Sequence, residues 1–134
     1  MTPARQCVIW ISLWFFWVFV SRHNHPIVLL NCLATALMLT SFAAVIYMNW
    51  LVLIPRFWLR QFFFAYWFSL SVTACALTAI VVVLIQKVYD VLWGPDPLRF
   101  GFWINYGLDF TGMCVHLAAA ALVVWLTRRK PSAT

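Results

Sequence analysis

Residues 102–126 read FWINYGLDFTGMCVHLAAAALVVWL, an apolar run long enough to cross a bilayer that carries an acid and an imidazole in its interior. Asp109 and His116 are the only ionisable side chains well inside any apolar run of the chain. On a helix with about 100° per residue, mostly small and polar residues form a stripe on one face: Gly101, Asn105, Asp109, Gly112, His116, Ala119 and Val123. Such side chains in a membrane helix face protein rather than lipid, so the stripe predicts the packing face of this helix.

The composition of the whole chain indicates an integral membrane protein. Of its 134 residues, 66% are hydrophobic and only 9% are charged, which is more apolar surface than a water-soluble domain of this size can bury. Apolar runs of spanning length recur between short basic segments. We therefore expect an all-α bundle of about four transmembrane helices with short loops. It forms a single membrane domain over residues 1–134 and leaves no room for a catalytic domain.

The apolar runs predict four helices, at about residues 6–22, 27–49, 62–86 and 102–126. The first is the shortest, because its apolar stretch from Cys7 to Ser21 would reach about 22 Å against a hydrocarbon core of about 30 Å. The second is expected to kink or end at Asn49, ahead of Pro55. Residues 56–61 predict a tight basic turn. Residues 87–101, with Gly-Pro-Asp-Pro turn signals, predict a loop on the membrane surface.

The basic residues give the chain a net charge of +6. They lie almost wholly in loops and tails, where they meet anionic lipid headgroups, so the charge does not indicate a nucleic-acid partner. With four crossings, six basic residues fall on one side and three on the other: Arg5, Arg56, Arg60, Arg128, Arg129 and Lys130 against Arg22, Lys87 and Arg99. The positive-inside rule then predicts a multi-pass protein of the bacterial inner (cytoplasmic) membrane with both termini in the cytoplasm.

A short motif in the middle of the chain is similar to one found in a family of membrane sensors. It consists of His25-Pro26, Asn49, residues 51–57 (LVLIPRF) and Tyr66. The motif and the hydrophobic pattern around it, from about residue 22 to 85, resemble the membrane input region of LytS-like sensor histidine kinases. In that family a comparable stretch joins two hydrophobic hairpins ahead of the kinase module. The resemblance implies an input-like bundle. Because the sequence stops eight residues after Leu126 without a phosphoacceptor or nucleotide-binding motif, we expect a bundle detached from its kinase.

Two interpretations of the polar stripe need partners on other helices or on other subunits. In the first, it is a hydrogen-bonded packing seam in which residues of similar depth meet: Asn105, Asp109, Gly112, His116, Asn31, Thr35 and Thr78. His116 is then expected at the depth of Thr40, Ser41, Ser71 and Thr73. In the second, Asp109 and His116 relay protons or ions. They lie about 10.5 Å apart along the helix, so they cannot bond to each other directly.

The third interpretation makes His116 a ligand. Gly112 lies four residues before it and leaves room for a flat macrocycle held by the imidazole, an arrangement similar to the small-x-x-x-His pattern of light-harvesting polypeptides. Haem or (bacterio)chlorophyll would fit this pattern, with carotenoid or lipid contacts nearby. No cofactor is required by the sequence. The four cysteines lie one per apolar segment, with no spacing that suggests a metal site.

The leading functional hypothesis is a non-enzymatic accessory or scaffold subunit. It would pack against other transmembrane subunits of a larger photosynthetic or respiratory complex, because the chain has no catalytic constellation and its helices are rich in aromatic residues. One alternative is a stand-alone sensory or regulatory bundle derived from a histidine-kinase input region. Another is a subunit that contacts pigment or haem through His116.

Overall fold

The computed structural model describes residues 3–94 and 101–128. It contains four α-helices in chain order, and the second continues directly into a π-helical segment: α1 (Pro3–Val20), α2 (Val28–Met48), the π segment (Asn49–Trp58), α3 (Phe63–Leu92) and α4 (Phe102–Arg128). No strand occurs in this described part of the chain. The prediction of an all-α bundle is therefore confirmed.

Three helical runs within the described ranges are long and apolar enough to cross a membrane: Val28–Trp58, Phe63–Leu92 and Phe102–Val123. The first helix, α1, is apolar but has only 18 residues, or about 27 Å. Large aliphatic and aromatic side chains cover the outer faces of the bundle, as expected where helices meet lipid. The chain is a helical membrane protein.

The helix that starts at Val28 changes its hydrogen bonding at Asn49, the residue where the sequence predicts a kink or an end. Pro55 lacks a backbone N–H, and its ring collides with the preceding turn of a regular α-helix. The wider π turn, with bonds such as Leu59 N–H to the Ile54 carbonyl at 3.0 Å, accommodates the ring. The basic turn expected at residues 56–61 is therefore shorter, and the chain reverses only at residues 59–61.

The third helix, α3, ends at Leu92 rather than at the expected Gln86. The apolar run stops at Lys87, but nothing in the sequence breaks the helix before Gly94, whose φ of +89° suits glycine. The last turns are also held by packing, because buried Tyr89 contacts Leu30 and Ala34 of α2. The predicted surface loop at 87–101 is therefore wrong for residues 87–92, and residues 95–100 lie outside the described residues.

The core of the bundle forms around α2. One buried cluster joins α2 to α3 and α4: Leu39, Phe42, Val45, Ala74 and Met113. A smaller cluster at the other end of α2 joins it to the end of α3: Leu30, Ala34 and Tyr89. The fourth helix, α4, packs on both α2 and α3. This arrangement turns one face of α4 toward the centre of the bundle.

Candidate functional site

The middle of the polar stripe on α4 faces the interior of the bundle. A Cβ atom added at Gly112 would lie 3.2 Å from Cζ of Phe42, so the missing side chain lets α4 approach α2 closely. The rings of His116 and Phe42 lie 4.7 Å apart between centroids. The ends of the stripe differ, because Gly101, Ala119 and Val123 are exposed. The inward face of α4 is therefore Asn105, Asp109, Gly112 and His116.

Both nitrogens of His116 are engaged in hydrogen bonds. Its Nδ1 lies 2.7 Å from the carbonyl oxygen of Gly112, which can only accept, so Nδ1–H donates. The indole Nε1–H of Trp17 donates to Nε2 of His116 at 3.3 Å, so Nε2 carries no proton. This geometry defines a neutral imidazole with its proton on Nδ1. The rings beside His116 are those of Trp17 and Phe42, and Phe42 directly follows Ser41, one of the residues whose depth His116 was expected to share.

These contacts bear directly on the macrocycle interpretation of His116 and Gly112. A metal in haem or chlorophyll needs an imidazole nitrogen with an available lone pair, and Nε2 of His116 already accepts from Trp17. The space beside Gly112 that a macrocycle would need is filled by the ring of Phe42. The geometry of these residues therefore disfavours a pigment or haem ligated by His116.

A cavity of about 720 Å³ lies beside the inward face of α4. Polar side chains from α2, α3, α4 and the connection between α1 and α2 line it: Asn24, His25, Thr35, Gln86, Asn105 and Asp109. On α4 it extends from Asn105 to His116, which is about 16 Å of helix rise. Because Asn24 and His25 precede α2, the cavity reaches the surface of the bundle at that connection.

Asp109 is half-buried and borders this cavity. No hydrogen bond or ion pair to its carboxylate is present among residues 3–94 and 101–128. The expected partners Asn31 and Thr78 do not line the cavity, whereas Thr35 does. Asp109 therefore faces an open space within the bundle rather than a packed seam.

Asn31 and Thr35, the two predicted seam residues on α2, belong to a set of hydrogen bonds that joins α2 to α1, which we call the α1–α2 clasp. The Asn31 side chain donates from Nδ2 to the carbonyl of Val18 at 2.7 Å, and its Oδ1 lies 2.7 Å from the hydroxyl of Ser21. The hydroxyl of Thr35 donates to Asn31 Oδ1 at 3.3 Å. Buried amides pay little desolvation cost when every polar atom finds a partner, so this clasp fixes the end of α1 on α2.

Thr78, the seam residue predicted on α3, bonds mainly to its own helix. Its hydroxyl donates to the Ala74 carbonyl at 2.8 Å and lies 3.6 Å from Sδ of Met113 on α4. It therefore touches α4 one turn beyond Asp109, toward the central core. Thr78 belongs to the packing of α3 on α4 and not to the cavity.

His25 borders the cavity at its surface end and bonds to the hydroxyl of Tyr89. This contact connects the loop before α2 to the last turns of α3. Burial lowers the pKa of His25 below its ordinary value, because a charged imidazole loses hydration there. His25 is therefore neutral at physiological pH.

Sequence reasoning missed the aromatic wall of this cavity. Trp17, Phe42 and Tyr89 line it from α1, α2 and α3. Trp17 and Phe42 stand in apolar segments, whereas Tyr89 lies between Lys87 and Asp90 in a stretch that was predicted to be a surface loop.

The motif residues Asn49 and Tyr66 also turn out to be bonded, because the Tyr66 hydroxyl donates to Asn49 Oδ1 at 2.9 Å in the buried interior. The sequence signal for this hydrogen bond was the presence of Asn49 and Tyr66 as polar residues in a mostly apolar motif.

The opposite face of α4 is lined with small residues that are exposed: Gly107, Cys114, Ala118 and Ala121. They recur at spacings of seven, four and three residues and so lie on one side of the helix. Apart from its two chain neighbours and the adjacent backbone of α4, no described atom lies within 4 Å of the position that a Cβ at Gly107 would take. We call this set the outer face of α4.

Metal chemistry has little support in the described residues, where no three His, Cys, Asp or Glu side chains are close enough together to hold an ion. The resemblance to sensor-kinase input regions stays a prediction. In comparisons with known proteins, the chain matches no protein-family model, no curated protein and no solved structure.

Proposed function

We propose that this chain is a non-enzymatic membrane bundle with a sensory or regulatory role, which binds a small molecule between its helices and acts on a partner transmembrane chain. The observation that carries the proposal is the cavity beside the inward face of α4. Its volume of about 720 Å³ lies in the range of small-molecule sites. Polar groups converge on it in a membrane protein where most interior positions are apolar.

The position of the cavity suits a regulatory role. It is lined by Trp17 of α1, Thr35 of α2, Gln86 of α3 and Asp109 of α4, so one ligand would touch all four helices. A ligand that binds one arrangement of these helices better than another shifts the population toward that arrangement. The resemblance of Asn49, Pro55 and Tyr66 to the input motif of sensor kinases supports the same role.

The contacts of the polar stripe bear on the choice between an accessory subunit and a regulatory bundle. The sequence favours an accessory subunit because the chain has no catalytic constellation and its helices are rich in aromatic residues, and it leaves open whether the stripe meets other helices or other subunits. In the structure Gly112 and His116 of that stripe contact Phe42 and Trp17 of the same chain. The stripe is therefore already used inside the bundle.

A non-catalytic accessory subunit of a larger photosynthetic or respiratory complex is the second candidate, and the outer face of α4 favours it. Close helix packing in membranes uses small side chains, and this face presents Gly107, Cys114, Ala118 and Ala121 without covering them.

Mild-detergent purification tests whether the chain is such an accessory subunit. Gly107→Leu with Ala118→Leu should release co-purifying chains, whereas Val83→Leu on the exposed side of α3 should not. Unchanged co-purification contradicts it.

We place the protein in the bacterial inner membrane with both termini in the cytoplasm. The support is the charge distribution, with six basic residues on one side and three on the other. Its partners in this proposal are lipids and other transmembrane chains rather than nucleic acid. Reporter fusions at the two termini test the orientation, and activity of a periplasmic reporter at either terminus contradicts it.

The cavity itself is tested by screening small metabolites for thermal stabilisation of the protein in lipid nanodiscs. Leu108→Trp places a large ring at the border of the cavity, and Ile104→Trp places the same ring on an exposed part of α4 that does not line it. We expect at least one metabolite to stabilise the wild type and the Ile104 variant but not the Leu108 variant. A screen without any stabilising compound, or with equal effects in both variants, contradicts ligand binding in this cavity.

A further inference from the structure

We propose that the cavity binds a small organic cation of the ammonium class, which pairs with the carboxylate of Asp109. The inference deepens the proposed function and rests on it, because it names the chemical class of the ligand. Three sets of observations lead to it: the charges that line the cavity, its aromatic side chains and its position at a surface of the bundle.

The charges that line the cavity are unbalanced. Among its described lining residues Asp109 is the single carboxylate, and none is Lys or Arg. His116 is held as a neutral imidazole by its bonds to Trp17 and Gly112. Burial lowers the pKa of His25, so this side chain is neutral as well. The cavity therefore offers a negative group with no positive group beside it.

An unpaired carboxylate at membrane depth is costly, and a cation that enters the cavity offsets that cost. An anionic ligand would be repelled by Asp109 and would find no basic side chain in the lining. An uncharged ligand can donate hydrogen bonds to the carboxylate but would leave its negative charge uncompensated. A proton also neutralises Asp109, and this competing occupant is separated from an organic cation by the experiment below.

The aromatic side chains favour an ammonium ion over a hydrated metal ion. Trp17, Phe42 and Tyr89 border the same cavity as Asp109 from three different helices. The face of an aromatic ring attracts an organic cation, most strongly where water is excluded. Metal ions instead require several oxygen ligands around one point, and among the described lining residues Asp109 supplies the single anionic one. A volume of about 720 Å³ also exceeds what a bare ion needs.

The position of the cavity gives such a ligand a route. Asn24, His25 and Pro26 border it where the chain passes from α1 to α2, so it meets the surface of the bundle at this connection. An ammonium ion can therefore reach Asp109 from the headgroup region without crossing the hydrocarbon core. The carboxylate and the aromatic rings would be its main points of attachment.

Equilibrium binding to the protein in neutral-lipid nanodiscs tests the inference. The probes are a series of ammonium ions from methylammonium to tetraethylammonium that includes choline. The neutral comparison is 3,3-dimethylbutan-1-ol, which has the shape of choline with carbon in place of nitrogen. We expect at least one ammonium ion to bind, choline to bind more tightly than its isostere, and Asp109→Asn to weaken cation binding by roughly tenfold or more.

The matched control is Asp90→Asn, which removes the same charge from an exposed position on α3 that does not line the cavity. It should leave binding unchanged. Damage to the fold would weaken the binding of both probes together, whereas loss of charge recognition lowers only the binding of the cation. The ratio of the two affinities therefore separates these effects.

Four results overturn the inference. Equal binding of choline and its isostere would keep a ligand cavity, and with it the proposed function, but would reject a cationic ligand. Unchanged cation binding in Asp109→Asn would show that the acid is a protonated packing group. If none of the ammonium ions binds while metabolites of another class stabilise the protein, the proposed ligand class is wrong, but the proposal that the cavity binds a small molecule is retained. If no compound of any class binds, both proposals fail.

Discussion

The two faces of α4 both carry small residues but have opposite environments. On the inward face, Gly112 is in contact with Phe42 and His116 is bonded to Trp17. On the outer face, nothing described lies near Gly107, and Cys114 is exposed. The comparison shows that a stripe of small residues identifies a surface suited to close approach. Which surface is already occupied is decided by the larger residues on the neighbouring helices.

The largest effect is expected from adding a side chain to each of the two glycines. Gly112→Leu must displace the Phe42 ring, which lies 3.2 Å from the position of a Cβ, and should destabilise the bundle by about 3 kcal/mol. Gly107→Leu should change stability by less than about 0.5 kcal/mol in the isolated protein. Unfolding in mixed micelles measures both. Equal losses of stability would remove the distinction between the faces.

The second effect is a gain of stability on the inward face. Asp109→Leu replaces a carboxylate without a partner in the described chain by an apolar group, and should stabilise the bundle by about 2 kcal/mol. Cys114→Leu on the outer face should have little effect, because that position is already exposed and apolar. The same unfolding assay applies. A destabilised Asp109→Leu protein would mean that the acid holds the helices together.

A smaller loss is expected when the bond to His116 is removed. Trp17→Phe keeps an aromatic ring but deletes the N–H that donates to Nε2 of His116, and should cost about 1 kcal/mol. Trp103→Phe is the control, because Trp103 is 79% exposed on α4. The ¹⁵N signals of His116 provide a second measure and should shift only in the Trp17 variant. If they do not move, Trp17 does not donate to Nε2 of His116.

The smallest effect is a dependence of stability on pH at the surface end of the cavity. Burial lowers the pKa of His25 in the folded chain, so the unfolded chain binds the proton more readily. Stability should be constant above about pH 7 and should fall as the pH drops below about 6.5. Tyr89 on α3 bonds to His25, and Asp109 and His116 border the same cavity from α4. His25→Gln should remove the fall in stability below about pH 6.5. An unchanged slope of stability against pH in this variant would show that another group causes the dependence.

The sequence predicts the helices well because their periodicity and apolar length are local properties. It was less accurate at Lys87, where a charged residue suggested a helix end. There the packing of Tyr89 on Leu30 continues α3 to Leu92. The sequence also predicted that the second helix kinks or ends at Asn49, but it did not specify a π-helical geometry. Both differences come from contacts or strain beyond the reach of a hydropathy pattern.

Only part of the candidate site could be predicted from the sequence. Asp109 and His116 stood out because ionisable residues are rare inside apolar runs. Their surroundings did not, because Trp17 and Phe42 are ordinary residues in apolar helices and became neighbours of His116 only through the packing of α1 on α2 and of α2 on α4. For the same reason the depth argument placed Asn31 beside Asp109, whereas Asn31 joins α2 to α1.

The unequal lengths of the helices have a consequence for the surrounding membrane. The continuous run Val28–Trp58 has 31 residues and would span about 46 Å in α-helical geometry. The first helix, with 18 residues, spans about 27 Å. A bilayer with a hydrocarbon core of about 30 Å must therefore thin or deform beside α1 while the long run tilts or reaches into the headgroups. The thickness of the host membrane thus acts on the angle between α1 and α2, the two helices whose connection contains His25.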